Sequence, residues 1–169
     1  MGIIIPESGM KFGTYQEKQV FRIEESEQYK KKLRQQRVRC CEFILLKSNK
    51  LLFIEAKKSY PDPINGIIKD ENQYNTEIKE IVEKMRHFLD LYANILLNRY
   101  ALDGVSEEMK NIENLTIRLV LVIKNADKSW IIPLQEKFRK ELYPEMHIWK
   151  IQDFIILNEE QARKKRLIV

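Results

Sequence analysis

The fold of this chain is decided by two neighbouring apolar stretches, Val38-Arg-Cys-Cys-Glu-Phe-Ile-Leu-Leu46 and Leu51-Leu-Phe-Ile-Glu-Ala-Lys57. Both are rich in β-branched and aromatic residues, which is typical of β-strands. Residues 47–50, which connect them, are turn-forming. We therefore predict an antiparallel β-hairpin with a tight turn at Ser48 and Asn49.

This turn sets the register of the hairpin and places two carboxylates opposite each other. Phe43 then pairs with Ile54, and Glu42 pairs with Glu55. Like charges directly opposite on paired strands are destabilising, and more so where neighbouring side chains exclude water. A cation between the two carboxylates would remove this penalty, and a divalent metal ion is the simplest candidate. Lys57 shares the face of Glu55, because side chains alternate along a strand.

The composition is that of a single globular domain. The chain has 169 residues with 44% hydrophobic and 33% charged, which is enough to bury one core. It contains no apolar run long enough for a transmembrane helix, so we expect no membrane contact. Cys40 and Cys41 are adjacent and point to opposite faces of a strand, so they cannot bridge each other. We expect one domain over residues 1–169 in a reducing compartment, with a cytoplasmic location.

A basic cluster precedes the hairpin. The net charge is +5, and residues 30–39 include six basic and no acidic residues. Such a cluster can neutralise phosphates, and a solvated helix face explains it equally well. The candidate nucleic-acid contacts are Lys30, Lys31, Lys32, Arg34, Arg37 and, after the hairpin, Lys58.

The rest of the chain alternates strand and helix patterns. The N-terminal dozen residues and residues 103–114 are expected to be irregular, and residues 61–63 to end the hairpin. The other predicted elements are a strand over 19–24, a helix over 27–35 capped by Ser26, a long helix over 71–99, a strand over 115–124, a helix from Pro133 to Leu142, a strand over 147–151 and a final helix capped by Asn158 with Gln161. This order predicts an α/β fold with a mixed central β-sheet, a β-hairpin core and flanking helices.

The pattern Glu42-x12-Glu55-Ala56-Lys57 resembles the active-site signature of the PD-(D/E)xK nuclease superfamily. In that family an Asp or Glu on one strand is followed by (D/E)-x-K on the next. The chain departs from the signature in having Cys41-Glu42 where the family has Pro-Asp. The resemblance implies a restriction-endonuclease-like fold, with the motif core over about residues 20–99 and further sheet and helix elements over residues 115–169.

The resemblance also implies roles for individual residues. The two acids and the carbonyl of Ala56 would bind Mg²⁺, for which Mn²⁺ can substitute, and Lys57 would assist the attacking water. Family members often add an upstream acid, for which Glu24 is favoured over Glu25 and Glu27. They also often carry a polar residue on the following helix, where Gln73 is the candidate.

Two functions remain open on the sequence. The first is a metal-dependent endonuclease that hydrolyses phosphodiester bonds in nucleic acid, with DNA favoured as the substrate. The second is a catalytically inactive domain of the same type, acting as a nucleic-acid-binding or protein-assembly module. In that case Glu42 would be part of a structural salt bridge with Arg37, Arg39 or Lys57. The chain has no recognisable specificity domain, so we expect a homodimer or a partner protein to supply specificity.

Overall fold

A computed structural model describes residues 2–27, 29–60, 71–99 and 104–169. In chain order the described elements are β1 (Ile3–Glu7), β2 (Met10–Tyr15), β3 (Val20–Phe21), β4 (Phe43–Lys47), β5 (Lys50–Lys57), α1 (Glu71–Leu96), α2 (Glu107–Lys110), β6 (Thr116–Ile123), α3 (Lys128–Glu141), α4 (Tyr143–Ile148), β7 (Asp153–Asn158) and α5 (Glu159–Lys164). A π-helical segment, Tyr29–Leu33, and a 3₁₀ turn, Arg34–Gln36, lie between β3 and β4.

The centre of the fold is a five-stranded mixed sheet in the order β3-β4-β5-β6-β7. The first three strands pair antiparallel, and β5, β6 and β7 pair parallel. Strands β5 and β6 are therefore interior and covered on both faces, which explains their near-continuous apolar sequences. The predicted α/β class with a mixed sheet is confirmed.

The predicted hairpin register is also confirmed for the paired residues. Phe43 pairs with Ile54 as predicted, but β4 begins at Phe43 rather than at Val38. The Glu42 N–H donates to the Ile54 carbonyl at 3.0 Å, so Glu42 lies just before the paired residues, and its predicted pairing with Glu55 is not observed. The turn residues have φ values of 49° and 57°. Two left-handed residues make the turn type whose twist matches that of the flanking strands.

Helices and a second hairpin cover the two faces of the sheet. On one face α1 packs through Phe88 and Tyr92, whose rings each meet the ring of Phe53 edge-on at 5.5 Å. On the other face the β1–β2 hairpin packs through Phe12, whose ring lies 5.4 Å from that of Phe43. Among the described residues, no helix has both the length and the apolar content needed to cross a membrane.

The strand expected over 19–24 is only the two-residue β3, followed by a 3₁₀ turn. Four other sequence predictions about elements were wrong. The N-terminal dozen residues form the β1–β2 hairpin, because Ser8 and Gly9 adopt left-handed conformations in a two-residue turn. Residues 147–151 are not a strand: α4, with Pro144 in its first turn, ends at Ile148, the next residues form a turn, and the strand follows as β7. Helix α3 begins at Lys128 rather than at Pro133, because Asp127 caps it. The expected loop before β6 contains α2.

The next predictions were confirmed, except for one that lies outside the described residues. The long helix over 71–99 is α1, and the capping box of Asn158 and Gln161 opens α5. Ser26 accepts a hydrogen bond from the Tyr29 N–H, so it caps a helical segment as predicted, although that segment is π-helical. The predicted end of the hairpin at residues 61–63 lies outside the described residues.

Candidate functional site

Glu55 is the only charged side chain in the described core that is fully buried. It lies near the end of β5 on the face covered by α1, since it alternates with Ile54 and shares its face with Phe53. Its Oε1 accepts a hydrogen bond from Lys84 Nζ at 2.6 Å. Its Oε2 is buried and has no hydrogen-bond partner among the described residues. A buried carboxylate oxygen without a donor is costly, so this atom is the chemical focus of the site.

Lys84 was not predicted from the sequence. It extends from α1 towards β5, and its side chain is 24% exposed. Burial alone would lower the pKa of Lys84, but the charge and hydrogen bond of Glu55 raise it overall, so Lys84 stays cationic. The available signal was its position, because a residue three after Ile81 and four before Phe88 lies on the buried stripe of the helix. A lysine on that stripe needs a buried anionic partner.

Glu42 lies one residue before β4, where its charge interacts with that of Glu55, and it carries the second carboxylate. Burial raises the pKa of Glu42 to about 8, and the negative charges of Glu55 and then Glu7 add to this increase. Burial also raises the pKa of Glu55, while Lys84 opposes the increase. Two carboxyl groups that each resist ionisation beside the other form an environment that a cation would stabilise.

Lys57 and Ala56 complete the end of β5. Lys57 is half-buried, and its positive charge opposes the burial-raised pKa of Glu55 less strongly than Lys84 does. Ala56 is buried, and its carbonyl accepts a hydrogen bond from Ser8 Oγ at 3.0 Å. Ser8 lies in the turn of the β1–β2 hairpin, so that turn closes over the end of β5. One lone pair of the expected metal-binding carbonyl is therefore already used.

The three upstream acids differ in where they lie. Glu24 lines a cleft together with Lys84. Glu25 pairs with Arg22, and Glu27 pairs with Lys31 at 2.7 Å. Of the three, only Glu24 shares this cleft with Lys84.

Gln73 does not join this group. It is exposed in the first turn of α1, three turns before Lys84, which corresponds to about 16 Å along the helix axis. The residue that α1 brings to Glu55 is Lys84. Gln73 was expected only because the resemblance implies a polar residue on this helix.

A basic cleft opens beside the two carboxylates. Its volume is about 460 Å³, and the lining residues that matter here are Glu24, Tyr29, Arg34, Arg37, Arg39 and Lys84. Lys84 both lines the cleft and contacts Glu55, so it connects the two, although neither Glu42 nor Glu55 is among the residues that line the cleft.

The other predicted nucleic-acid contacts lie outside the basic cleft. Lys30, Lys31 and Lys32 are exposed on the π-helical segment. Lys58 is exposed just after β5, and its carbonyl accepts a hydrogen bond from the Asn125 N–H at 3.1 Å. Of the six residues predicted, Arg34 and Arg37 line the cleft, and Arg39 joins them.

The residues present fit a divalent cation that takes few protein ligands. Within the described part of the chain, no three carboxylate, thiol or imidazole groups lie close enough together to hold a metal ion. Mg²⁺ does not need three, because it commonly takes one or two carboxylates and completes its shell with water and phosphate oxygens. Glu42 and Glu55 supply two carboxylates, and the unpartnered Oε2 of Glu55 is an available ligand atom.

Comparisons with protein-family models, with curated proteins and with solved structures find no match to this chain. The resemblance to the PD-(D/E)xK signature therefore rests on the motif residues and their arrangement alone.

Proposed function

We propose that this protein is a metal-dependent nuclease of the PD-(D/E)xK type, with a restriction-endonuclease-like fold. The observation that carries the proposal is the buried Oε2 of Glu55, which has no donor among the described residues although the carboxylate of Glu42 lies near enough for the two charges to interact. A carboxylate pair with an unpartnered oxygen, beside two lysines and an arginine-lined cleft, suits the binding of a cation together with a phosphodiester.

Each residue would have a distinct task. Glu42 and Glu55 would hold Mg²⁺ or Mn²⁺, with Glu24 at the edge of the cleft. The bound cation would supply charge stabilisation and a more acidic water. Lys57 would orient the attacking water, as the resemblance implies. Lys84 would neutralise negative charge that develops on the phosphate, because an ammonium held beside the site needs no rearrangement during the reaction.

A cleavage assay tests this proposal directly. Single-stranded DNA, supercoiled plasmid and RNA would each be incubated with the protein in Mg²⁺, Mn²⁺ or EDTA. Glu55→Gln and Lys57→Ala should lose metal-dependent cleavage. The matched control is Glu113→Gln, an exposed acid in a 3₁₀ turn before β6, which should retain it. Equal cleavage by Glu55→Gln and the unmodified protein would contradict the assignment of the site.

Metal binding gives a second readout that is independent of the substrate. A ligand that binds only the folded protein raises its stability, by about 2.7 kcal/mol at ~100 times the dissociation constant. We expect Mn²⁺ to raise the melting temperature of the unmodified protein and of Glu113→Gln, and not that of Glu55→Gln. No shift in the unmodified protein would mean that the carboxylate pair does not bind metal.

The second candidate is a domain that binds nucleic acid or assembles with another protein without cutting. Two contacts favour it: Lys84 already supplies a counter-charge to Glu55, and Ser8 already donates to the Ala56 carbonyl. In this case neither cleavage nor a metal-dependent rise in melting temperature would be observed. Binding of nucleic acid in EDTA would then separate a nucleic-acid-binding module from an assembly module.

A further inference from the structure

We infer that the basic cleft binds one strand of nucleic acid, so that the substrate is single-stranded where it meets the site. The inference rests on the proposed function in taking nucleic acid as the ligand. It adds the strand state of that nucleic acid and the residues that select it, Arg34, Arg37 and Arg39.

The charge of the cleft is the first argument. The cleft is lined by four basic residues, three arginines and Lys84, and by one acidic residue, Glu24. Arg34 and Arg37 form no ion pair with any residue of the described ranges. Arg39 is held only loosely, at 3.4 Å from Glu80 and at 3.7 Å from another exposed acid of α1. Guanidinium groups with uncommitted N–H donors are well suited to phosphate, which they can bind through two parallel hydrogen bonds.

The depth and size of the cleft are the second argument. Glu55 has no exposed surface, and the cleft residue that contacts it is Lys84. A volume of about 460 Å³ is typical of a site for a small ligand. A segment of one flexible strand can enter such a space, whereas a duplex is a stiff rod that bends only at considerable energetic cost. Single strands are typically bound in positively charged grooves that follow the backbone.

Arg37 is the residue of the cleft best suited to a test by substitution. Its φ is 62°, and it ends the helical segment with the Val38 N–H donating to the Leu33 carbonyl at 3.2 Å. Glycine is the preferred residue at this position, because a side chain is unfavourable in the left-handed conformation. Lys150 shares this conformation, so what distinguishes Arg37 is that its side chain lines the cleft, and glycine can replace it without backbone strain.

Binding of labelled oligonucleotides in EDTA tests the inference without cleavage. Fluorescence anisotropy would compare a single-stranded DNA with the duplex of the same sequence, and the unmodified protein with Arg37→Gly. The control is Lys150→Gly, which removes the same charge from an exposed residue with a φ of 50° at the end of α4. There the Ile151 N–H donates to the Met146 carbonyl, so the backbone motif is the same as at Arg37.

We expect the unmodified protein to bind the single strand at least about tenfold more tightly than the duplex. Arg37→Gly should weaken single-strand binding by about tenfold, because one charged hydrogen-bonding contact is lost. It should also reduce the slope of log K against log salt by about 0.7. Lys150→Gly should leave both quantities unchanged, and the melting temperatures of both variants should stay near that of the unmodified protein.

Three results would overturn the inference: equal binding of duplex and single strand, equal losses in the two glycine variants, or no binding of either nucleic acid. Selective binding in EDTA without metal-dependent cleavage would support the inference and contradict the nuclease. Cleavage of duplex and single strand alike, with no effect of Arg37→Gly, would support the nuclease and contradict the inference.

Discussion

Lys84 Nζ on α1 lies 2.6 Å from Glu55 Oε1 on β5, so one helix residue supplies the counter-charge of a fully buried strand carboxylate. The pair leaves the second oxygen of Glu55 without a donor among the residues described. A buried ion pair is stabilising only when its remaining hydrogen-bonding capacity is satisfied. Under the proposed function, this second oxygen is the atom that a bound cation would contact.

Removing Lys84 should destabilise the protein in EDTA. Lys84→Met leaves Glu55 buried without a counter-charge, so we expect the free energy of unfolding to fall by about 3 kcal/mol. Urea unfolding measures this change. Lys79→Met, which replaces an exposed lysine of the same helix, should change stability by less than about 0.5 kcal/mol.

The Lys84→Met variant also separates the two candidate functions. If Lys84 and a metal ion both neutralise Glu55, Mn²⁺ should raise the melting temperature of Lys84→Met more than that of the unmodified protein. The reason is that the cation no longer competes with the ammonium for the same carboxylate. An equal response, or none, would contradict a shared site.

The pH dependence of stability should report Glu42. Its pKa is raised to about 8 in the folded protein from an ordinary value of 4.5, so the folded state holds a proton that the unfolded state releases. In EDTA, the contribution is fully present below about pH 4.5 and is lost as the pH rises through about 8. Glu42→Gln should gain about 2 kcal/mol relative to the unmodified protein between pH 5 and pH 8.5, allowing for solvent screening.

Urea unfolding at several pH values measures this gain. The pKa of Glu42 also depends on the charges of Glu55, Glu7, Lys84 and Glu24. The comparison therefore uses proteins in which these four residues are unchanged. Parallel stability curves for Glu42→Gln and the unmodified protein would mean that Glu42 is ionised throughout this range.

Ser8→Ala should loosen the turn over β5 and free a metal ligand. Loss of the hydrogen bond to the Ala56 carbonyl should lower the free energy of unfolding by about 1 kcal/mol. The concentration of Mn²⁺ that gives half of the thermal shift should decrease, because the carbonyl becomes available to the metal.

The matched control for Ser8→Ala is Ser48→Ala. Ser48 is also a left-handed serine in a hairpin turn, with a φ of 49° against 50° for Ser8, and its hydroxyl has no partner in the described structure. It should therefore show neither effect. A weaker response to Mn²⁺ in Ser8→Ala would show that the hydroxyl, rather than the carbonyl, supports the metal site.

Arg37→Gly should be tolerated by the fold. Glycine removes the steric cost of the left-handed conformation, and this gain is larger than the loss caused by the greater entropy of glycine in the unfolded chain. We therefore expect the free energy of unfolding to increase by about 0.5 kcal/mol. Lys150→Gly should behave alike, and urea unfolding measures both. A loss of more than about 1 kcal/mol in Arg37→Gly would mean that the Arg37 side chain has a structural role, and the binding comparison would then need a different variant.

The local parts of this fold were predictable from the sequence. The register of the β4–β5 hairpin follows from a two-residue turn, and the length of α1 follows from its apolar stripe. The capping box of Asn158 and Gln161 depends only on residues three apart. Each of these features is fixed by neighbouring residues, so a single sequence contains the information.

The parts that failed depend on distant contacts or weak local signals. The β1–β2 hairpin was missed because Pro6 and Gly9 are common in irregular segments, although Pro6 is tolerated in an edge strand. The contact of Lys84 with Glu55 joins residues far apart in the chain, and only the position of a lysine on a buried stripe indicated it. Gln73 was chosen by analogy with other chains rather than from the geometry of this one.

The C-terminal residues hold the hairpin that closes over the site. The Gly13 N–H donates to the Leu167 carbonyl at 3.2 Å, the Tyr15 hydroxyl donates to the same carbonyl, and the Val169 N–H donates to the Lys11 carbonyl at 3.0 Å. An affinity tag fused directly after Val169 would disturb these hydrogen bonds and, through the hairpin, the hydrogen bond of Ser8 to β5. Recombinant protein for metal titrations should therefore carry a flexible spacer at this end, or a tag that is removed before measurement.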